Sequence, residues 1–196
     1  MEGVSIPENE SGTWKISKFT VSKEEAQVFN MRASSSSSLR GQYMYEGSYT
    51  RLTNNGHVIM SDTPQEMSEH STFVRKAKGN VLINGLGIGM VLKNVLLKPN
   101  IDSVVVVELS EDVINLVGDF YKDHRLSIHH ADAFKWTPPK GTKFHAIWHD
   151  IWPDKSIDNI ADMSRLHRRY ARWLMTGGFQ DSWARKELKY RARKKR

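Results

Sequence analysis

Three glycines spaced two apart, Gly85, Gly87 and Gly89, end the aliphatic run VLINGLGIG, and Glu108 closes the next such run nineteen residues past the last of them. Glycine costs conformational entropy inside regular structure. Three at one strand end therefore imply that something lies close against the backbone. If a helix follows, its free N–H groups and the bare backbone suit a nucleotide, and an acid about 20 residues on suits the two ribose hydroxyls. The spacing is G-x-G-x-G with no G-K-[ST] after it, so a P-loop is not indicated, and no G-x-S-x-G elbow supports a serine hydrolase. Two further acids end aliphatic runs: Asp132 in HHADAF and Asp150 in HAIWHD. A carboxylate at Asp150 could take an acceptor's proton or orient its amine or hydroxyl. Trp148 and Trp152 on either side would lower the local polarity and raise its basicity. The plainer alternatives are a tight packing turn at the glycines and a capping role for Asp150. His145 and His149, with Asp150 and Asp154 nearby, invite thoughts of a metal, but strand-packed histidines are the commoner case and no metal site is expected. His129 and His130 point to opposite faces of their strand. Trp148, Trp152, Trp173 and Trp183 are expected in the core or as pocket wall.

These residues need a scaffold. NVLIN, SVVVVEL, LSIHH and HAIWHD are short aliphatic runs without strict alternation, as strands covered on both faces should be. Between the first two, Met90, Val91, Val95 and Leu96 form one helical stripe that stops before Pro99. Between the next two, Ser110 is an N-cap for a second helix. Strand and helix in alternation predict a parallel, doubly wound sheet. Ahead of it, WKISKF (14–19) alternates, Ser22 and Glu25 make a capping box for a helix over about 23–32, and ASSSSSLRG (33–41) reads as a mobile loop. Asn54-Asn55-Gly56 joins two strands as a hairpin. Behind it, NIADMSRLHRRYARWL (159–174) is one amphipathic helix. TGGFQDSW is a fifth short strand or a loop, with Ser182 capping a basic helix. The fold expected is α/β, a Rossmann-like and mostly parallel sheet of about five strands. Its parts are an N-terminal extension of strand, helix and hairpin (1–79), the sheet domain (80–182) and a basic helix or tail (183–196). The shortened sheet leaves an edge at which a second copy could pair, giving a homo-oligomer.

Composition narrows the classes. The 196 residues have no cysteine, which excludes disulfides and thiolate zinc sites and suits the cytoplasm. No apolar run approaches the roughly 18 residues of a membrane span, so no membrane partner is expected. MEGVSIPENESG lacks the features of a secretory signal. The net charge is +7, and WARKELKYRARKKR (183–196), with eight basic residues and one acid, accounts for all of it. Such a tail suits weak, salt-dependent contact with nucleic acid, or is a solvated helix end.

VLINGLGIGM, the acid Glu108 at the end of the second strand, Asp132-Ala133-Phe134 and the strand-ending Asp150 together resemble the class I S-adenosylmethionine-dependent methyltransferases, in particular their spermidine-synthase-like branch. The resemblance covers about residues 56–153. It implies that S-adenosyl-L-methionine is the cofactor. Glu108 would hold its ribose, Asp132 and Ala133 would meet its adenine, and the Gly85–Gly89 loop would pass its methionine end, with Leu86 and Leu109 beside them. Asp150 would be the catalytic residue and would touch the cofactor too. The chain departs from the pattern at Ile83, where many methyltransferases have an acid. It departs again at Ile88, where aminopropyltransferases have an aspartate, and at IWPD after Asp150, where they have a Ser/Thr-Ser-Asp-Pro run. A methyltransferase on an unidentified acceptor is the leading expectation. An aminopropyltransferase-like enzyme, or a protein that binds or degrades the cofactor without transferring from it, remains open.

Overall fold

The computed structural model describes residues 1–36 and 42–194. Its sheet half is built from β5 (Gly79–Asn84), α3 (Met90–Leu96), β6 (Ile101–Glu108), α4 (Glu111–Val117), β7 (Leu126–His130), β8 (Phe144–His149), α5 (Asn159–Tyr170), β9 (Leu174–Ser182) and α6 (Arg185–Lys194). The strands pair in the order β7-β6-β5-β8-β9, and every pair is parallel. The chain therefore lays strands outward on one side of β5, then returns to lay β8 and β9 on the other. Between β5 and β8 the order reverses, and open α/β sheets bind ligands outside the strands' carboxyl ends at that point.

Both faces of this sheet are covered, which is why its strands read as continuous aliphatic runs. Val81 and Ile83 of β5 and Val104 and Val106 of β6 pack into one core with α3, α4 and the helix ahead of β5, while Leu82 and Val107 face the other core, made with α5 and α6. Ser110 caps α4 by accepting from the Val113 amide at 3.3 Å. The amphipathic α5 buries Met163, Leu166 and Tyr170, and the Tyr170 hydroxyl donates to the Ala133 carbonyl at 2.7 Å. That bond ties the helix to the segment after β7. β9 runs nine residues beside β8, longer than the short strand expected. Ser182 is its last residue and not a helix cap: its hydroxyl lies 2.8 Å from His167 Nε2, and α6 begins three residues later.

The first part of the chain is a second sheet, antiparallel, of β1 (Asn9–Ser11), β2 (Trp14–Val21), β3 (Gly47–Asn54) and β4 (His57–Ser61), in that order. Asn55 and Gly56 at φ 48° and 78° make the tight turn that joins β3 to β4. The capping box predicted at Ser22 and Glu25 opens α1 (Lys23–Ser35). α1 runs three residues into the 33–41 stretch, to Ser35, and the Ser34 and Ser35 hydroxyls donate to the Met31 carbonyl. The rest of the loop expected there, residues 37–41, lies outside the described residues. A helix absent from the sequence reading, α2 (Pro64–Lys76), leads from this sheet into β5. Ile6, Ile16 and Leu52 of the N-terminal part share one core with β5, β6, α3 and α4. The antiparallel sheet is thereby fixed against the helical layer on one side of the parallel one. Among the described residues no helix is long and apolar enough to cross a membrane.

Candidate functional site

A cavity of about 390 Å³ opens at the reversal point. Its floor is the junction of the segments leaving β5 and β8: the Asp150 amide donates to the Asn84 carbonyl at 2.8 Å, and Gly85 packs on the Asp150 backbone. The glycine loop leaves β5 with Gly85, Gly87 and Gly89 all at positive φ, at 97°, 54° and 71°. A Cβ on Gly85 would lie 2.0 Å from the Asp150 carbonyl oxygen; on Gly87, 2.1 Å from the Met60 sulfur; on Gly89, 2.1 Å from the Tyr121 ring. The space that the sequence reserves for a close neighbour is thus filled, at all three glycines, by the chain itself. The Met60 thioether also accepts the Ile88 amide at 3.3 Å. Backbone cannot yield where a side-chain tip can, so Gly85→Ala is expected to destabilise the fold by at least about 3 kcal/mol, and Gly87→Ala by less. Equal denaturant midpoints for the two variants would contradict this account of the loop.

Glu108 ends β6 and joins the loop to the cavity. One carboxylate oxygen accepts from the Leu86 amide at 2.7 Å and the other from the Ser110 amide at 2.8 Å. A carboxylate has about four acceptor positions, so a vicinal diol can still bind it. Asp132 follows β7, and its Oδ1 accepts from the Phe134 amide at 2.8 Å. Gly85, Leu86, Gly87, Glu108, Leu109, Asp132, Ala133 and Asp150 all line the cavity. Gly89 does not; it is the N-cap of α3, beneath Tyr121.

Asp150 sits at the deep end. Burial pushes its carboxyl up to about 7, with the Glu66 carboxylate adding to the push. His70 Nε2 lies 3.7 Å from its Oδ2. His70 is 2 % exposed, and burial lowers its imidazole to about 4. Glu66 is raised as well, by burial first, although its carboxylate accepts from the Ser61 amide and hydroxyl, each at 2.8 Å. Among the described residues the buried His70 Nδ1 has no hydrogen-bond partner, while the Trp148 side chain acts on the Asp150 carboxylate and tempers its upward shift. Among the described residues four carboxylates line the cavity, Glu66, Glu108, Asp132 and Asp150, and no Lys or Arg does. A pocket of this kind, in a chain of net charge +7, favours a cationic occupant.

Part of the wall comes from the N-terminal part. Trp14, Met60, Glu66 and His70 line the cavity and escaped the reading of the sequence. Glu66 and His70 carried a signal in the helix start at Thr63-Pro64, with an acid in its first turn. Trp14 carried none. Of the four tryptophans, Trp148, Trp152 and Trp183 are wall, and Trp173 packs on Tyr170 at 5.6 Å. His149 has ring nitrogens 2.7 Å from the Asn84 amide and 2.8 Å from that of Gln180, while His145 Nδ1 accepts from the Asn80 amide. Both are engaged within the sheet.

No family model matches the chain. It is 27% identical over 134 residues to a polyamine aminopropyltransferase of Prochlorococcus marinus, an alignment covering 61% of this chain and 47% of that protein. The chain thus spans about half the length of the curated relative it matches. Among solved structures it is similar to the N-methyltransferase NodS of Bradyrhizobium japonicum in complex with S-adenosyl-L-homocysteine, at 17% identity and TM-score 0.48, covering 59% of this chain and 61% of that one. It is also similar to the spermidine synthase of Thermotoga maritima, at 17% identity and TM-score 0.44, covering 72% of this chain and 46% of that one.

Proposed function

We propose that the chain is an S-adenosylmethionine-dependent transferase, a methyltransferase whose acceptor is an amine. The observation that carries this reading is Glu108. Its carboxylate bridges the glycine loop and the α4 N-terminus at the sheet's reversal point, with Asp132 and Asp150 on the same cavity wall. Glu108 would hold the ribose hydroxyls, Asp132 and Ala133 the adenine edge, and Leu86 and Leu109 the nucleoside faces. When bound, the cofactor supplies a methyl group activated by a sulfonium sulfur.

The chain's own part is to present the acceptor and take its proton. Glu66 and Asp150 would hold an amine at the deep end, where Trp148, Trp152 and Trp183 displace water and strengthen the attraction. Attack requires a nitrogen lone pair. Asp150 would orient the acceptor nitrogen toward the cofactor's methyl group and, as a carboxylate, would take the surplus proton of the methylated amine. Holding donor and acceptor in line supplies much of the rate.

Aminopropyl transfer is the second reading. The curated relative and the four carboxylates of the wall, with no Lys or Arg among the described lining residues, favour it, whereas Ile88, fully buried in the core, leaves the loop without a carboxylate to hold a donor's amine. Mass spectrometry of the protein incubated with S-adenosylmethionine and cell extract separates the readings. S-adenosylhomocysteine is the expected product. Methylthioadenosine would turn the assignment to aminopropyl transfer or cofactor cleavage, and neither product would leave a binding protein.

A further inference from the structure

We propose that His70 and Asp150 hold a single proton between them, so that His70, acting through Asp150, sets the charge which the deep end of the pocket offers its acceptor. The two side chains come from different elements, α2 and the segment after β8, and meet with Nε2 and Oδ2 3.7 Å apart. An adjustment of under about 1 Å brings that to hydrogen-bond length. His70 is 2 % exposed, its Nδ1 has no hydrogen-bond partner among the described residues, and its ring stands edge-on to Trp148 at 5.7 Å. A lone imidazolium there would be poorly solvated, and a lone Asp150 carboxylate would stand among Glu66, Glu69 and Glu108. One shared proton avoids both.

The surroundings bear on both partners. Toward His70, Glu69 favours the proton and Lys155 opposes it; toward Asp150, the carboxylates of Glu66, Glu69 and Glu108 favour it and the Trp148 side chain, hydrogen-bonding the carboxylate, opposes it. Taken singly, Asp150 costs the fold stability as pH rises from 3.8 to about 7, because the unfolded carboxyl ionises while the folded one stays neutral. His70 alone costs it as pH falls from 6.5 to about 4, because the unfolded imidazole charges first. As a pair their pH dependences cancel, while the two costs add to a constant. Between about pH 4 and 6.5 the unfolded chain also carries one proton on these two groups, held by the imidazole. Folding relocates that proton without taking up or releasing any.

The loss of this proton near neutral pH also changes the ring. With the proton on Asp150, Nε2 accepts and Nδ1 carries the ring hydrogen; once it leaves, Nε2–H donates to the carboxylate. His70 is thus a positioning residue for Asp150. Its consequence for an amine acceptor rests on the transferase reading above, but the proton sharing does not, and the test uses neither cofactor nor acceptor. Nitrogen-15 shifts of the His70 ring and the carbon-13 shift of the Asp150 carboxyl should move at one common midpoint near neutrality. In Asp150→Asn the ring should stay flat there. A ring that ignores the Asp150 titration, or a neutral step that survives Asp150→Asn, overturns the proposal. Should Asp150→Asn not fold, His70→Gln decides: the Asp150 midpoint must move by more than about one pH unit, and an unmoved midpoint overturns it equally.

Discussion

Asp150→Asn is expected to bind S-adenosylmethionine nearly as the wild type does and to turn over at least about a hundredfold more slowly, the usual scale for losing a positioned base. The asparagine keeps the shape and an acceptor oxygen but cannot take a proton. Wild-type turnover should rise with pH through about 7, the position to which burial and Glu66 lift the Asp150 carboxyl, because only the ionised form accepts the acceptor's proton. That limb should vanish in the variant. Full activity of Asp150→Asn on an identified acceptor would reduce Asp150 to the support of Gly85, whose backbone it already touches.

Glu108→Ala is expected to weaken S-adenosylmethionine binding by about 1.5–3 kcal/mol, some ten- to a hundredfold, the scale of hydrogen bonds to a charged group. Part of the loss is indirect. Without the carboxylate the Leu86 and Ser110 amides lose their acceptor, so the loop is less well held before any ligand arrives. Glu108→Gln separates the two effects, since it can still accept from one amide but loses the charge. Calorimetry giving Glu108→Ala the wild-type affinity would remove the basis of the cofactor assignment.

The acids Glu108, Asp132 and Asp150 are legible in the sequence because each stands at the carboxyl end of an aliphatic run, and parallel strands bring such ends to one edge. The helix ends are legible too, at Ser22 and Ser110, because caps are local chemistry. The wall formed by Trp14 and Met60 is not. Nothing periodic in an antiparallel sheet tells which helical layer it will dock on, and that docking is decided by Ile6, Ile16 and Leu52 finding the core of α3 and α4. The glycine loop lies between the two cases. Three glycines imply a close neighbour for its backbone, but what lies against them is Asp150, Met60 and Tyr121, residues remote in sequence. Ser182 shows the limit of capping logic, since a partner contributed by α5 claims its hydroxyl first.

The order of strands has a consequence in time. The hairpin at Asn54–Gly56 joins neighbours in the chain and can form within microseconds. The floor of the cavity joins residues 65 apart, as the Asn84–His149 contact beneath it does, and it must wait for β6, β7 and their helices to be laid down between. Closing such a loop is slow because its entropy is lost before the contacts form. In pulsed hydrogen exchange during refolding, the hairpin amides should therefore be protected well before the Asp150 amide. The ability to bind would come late to a newly made chain, and a ligand seated on Glu108 and Asp150 would clamp a joint that closes well after the hairpin.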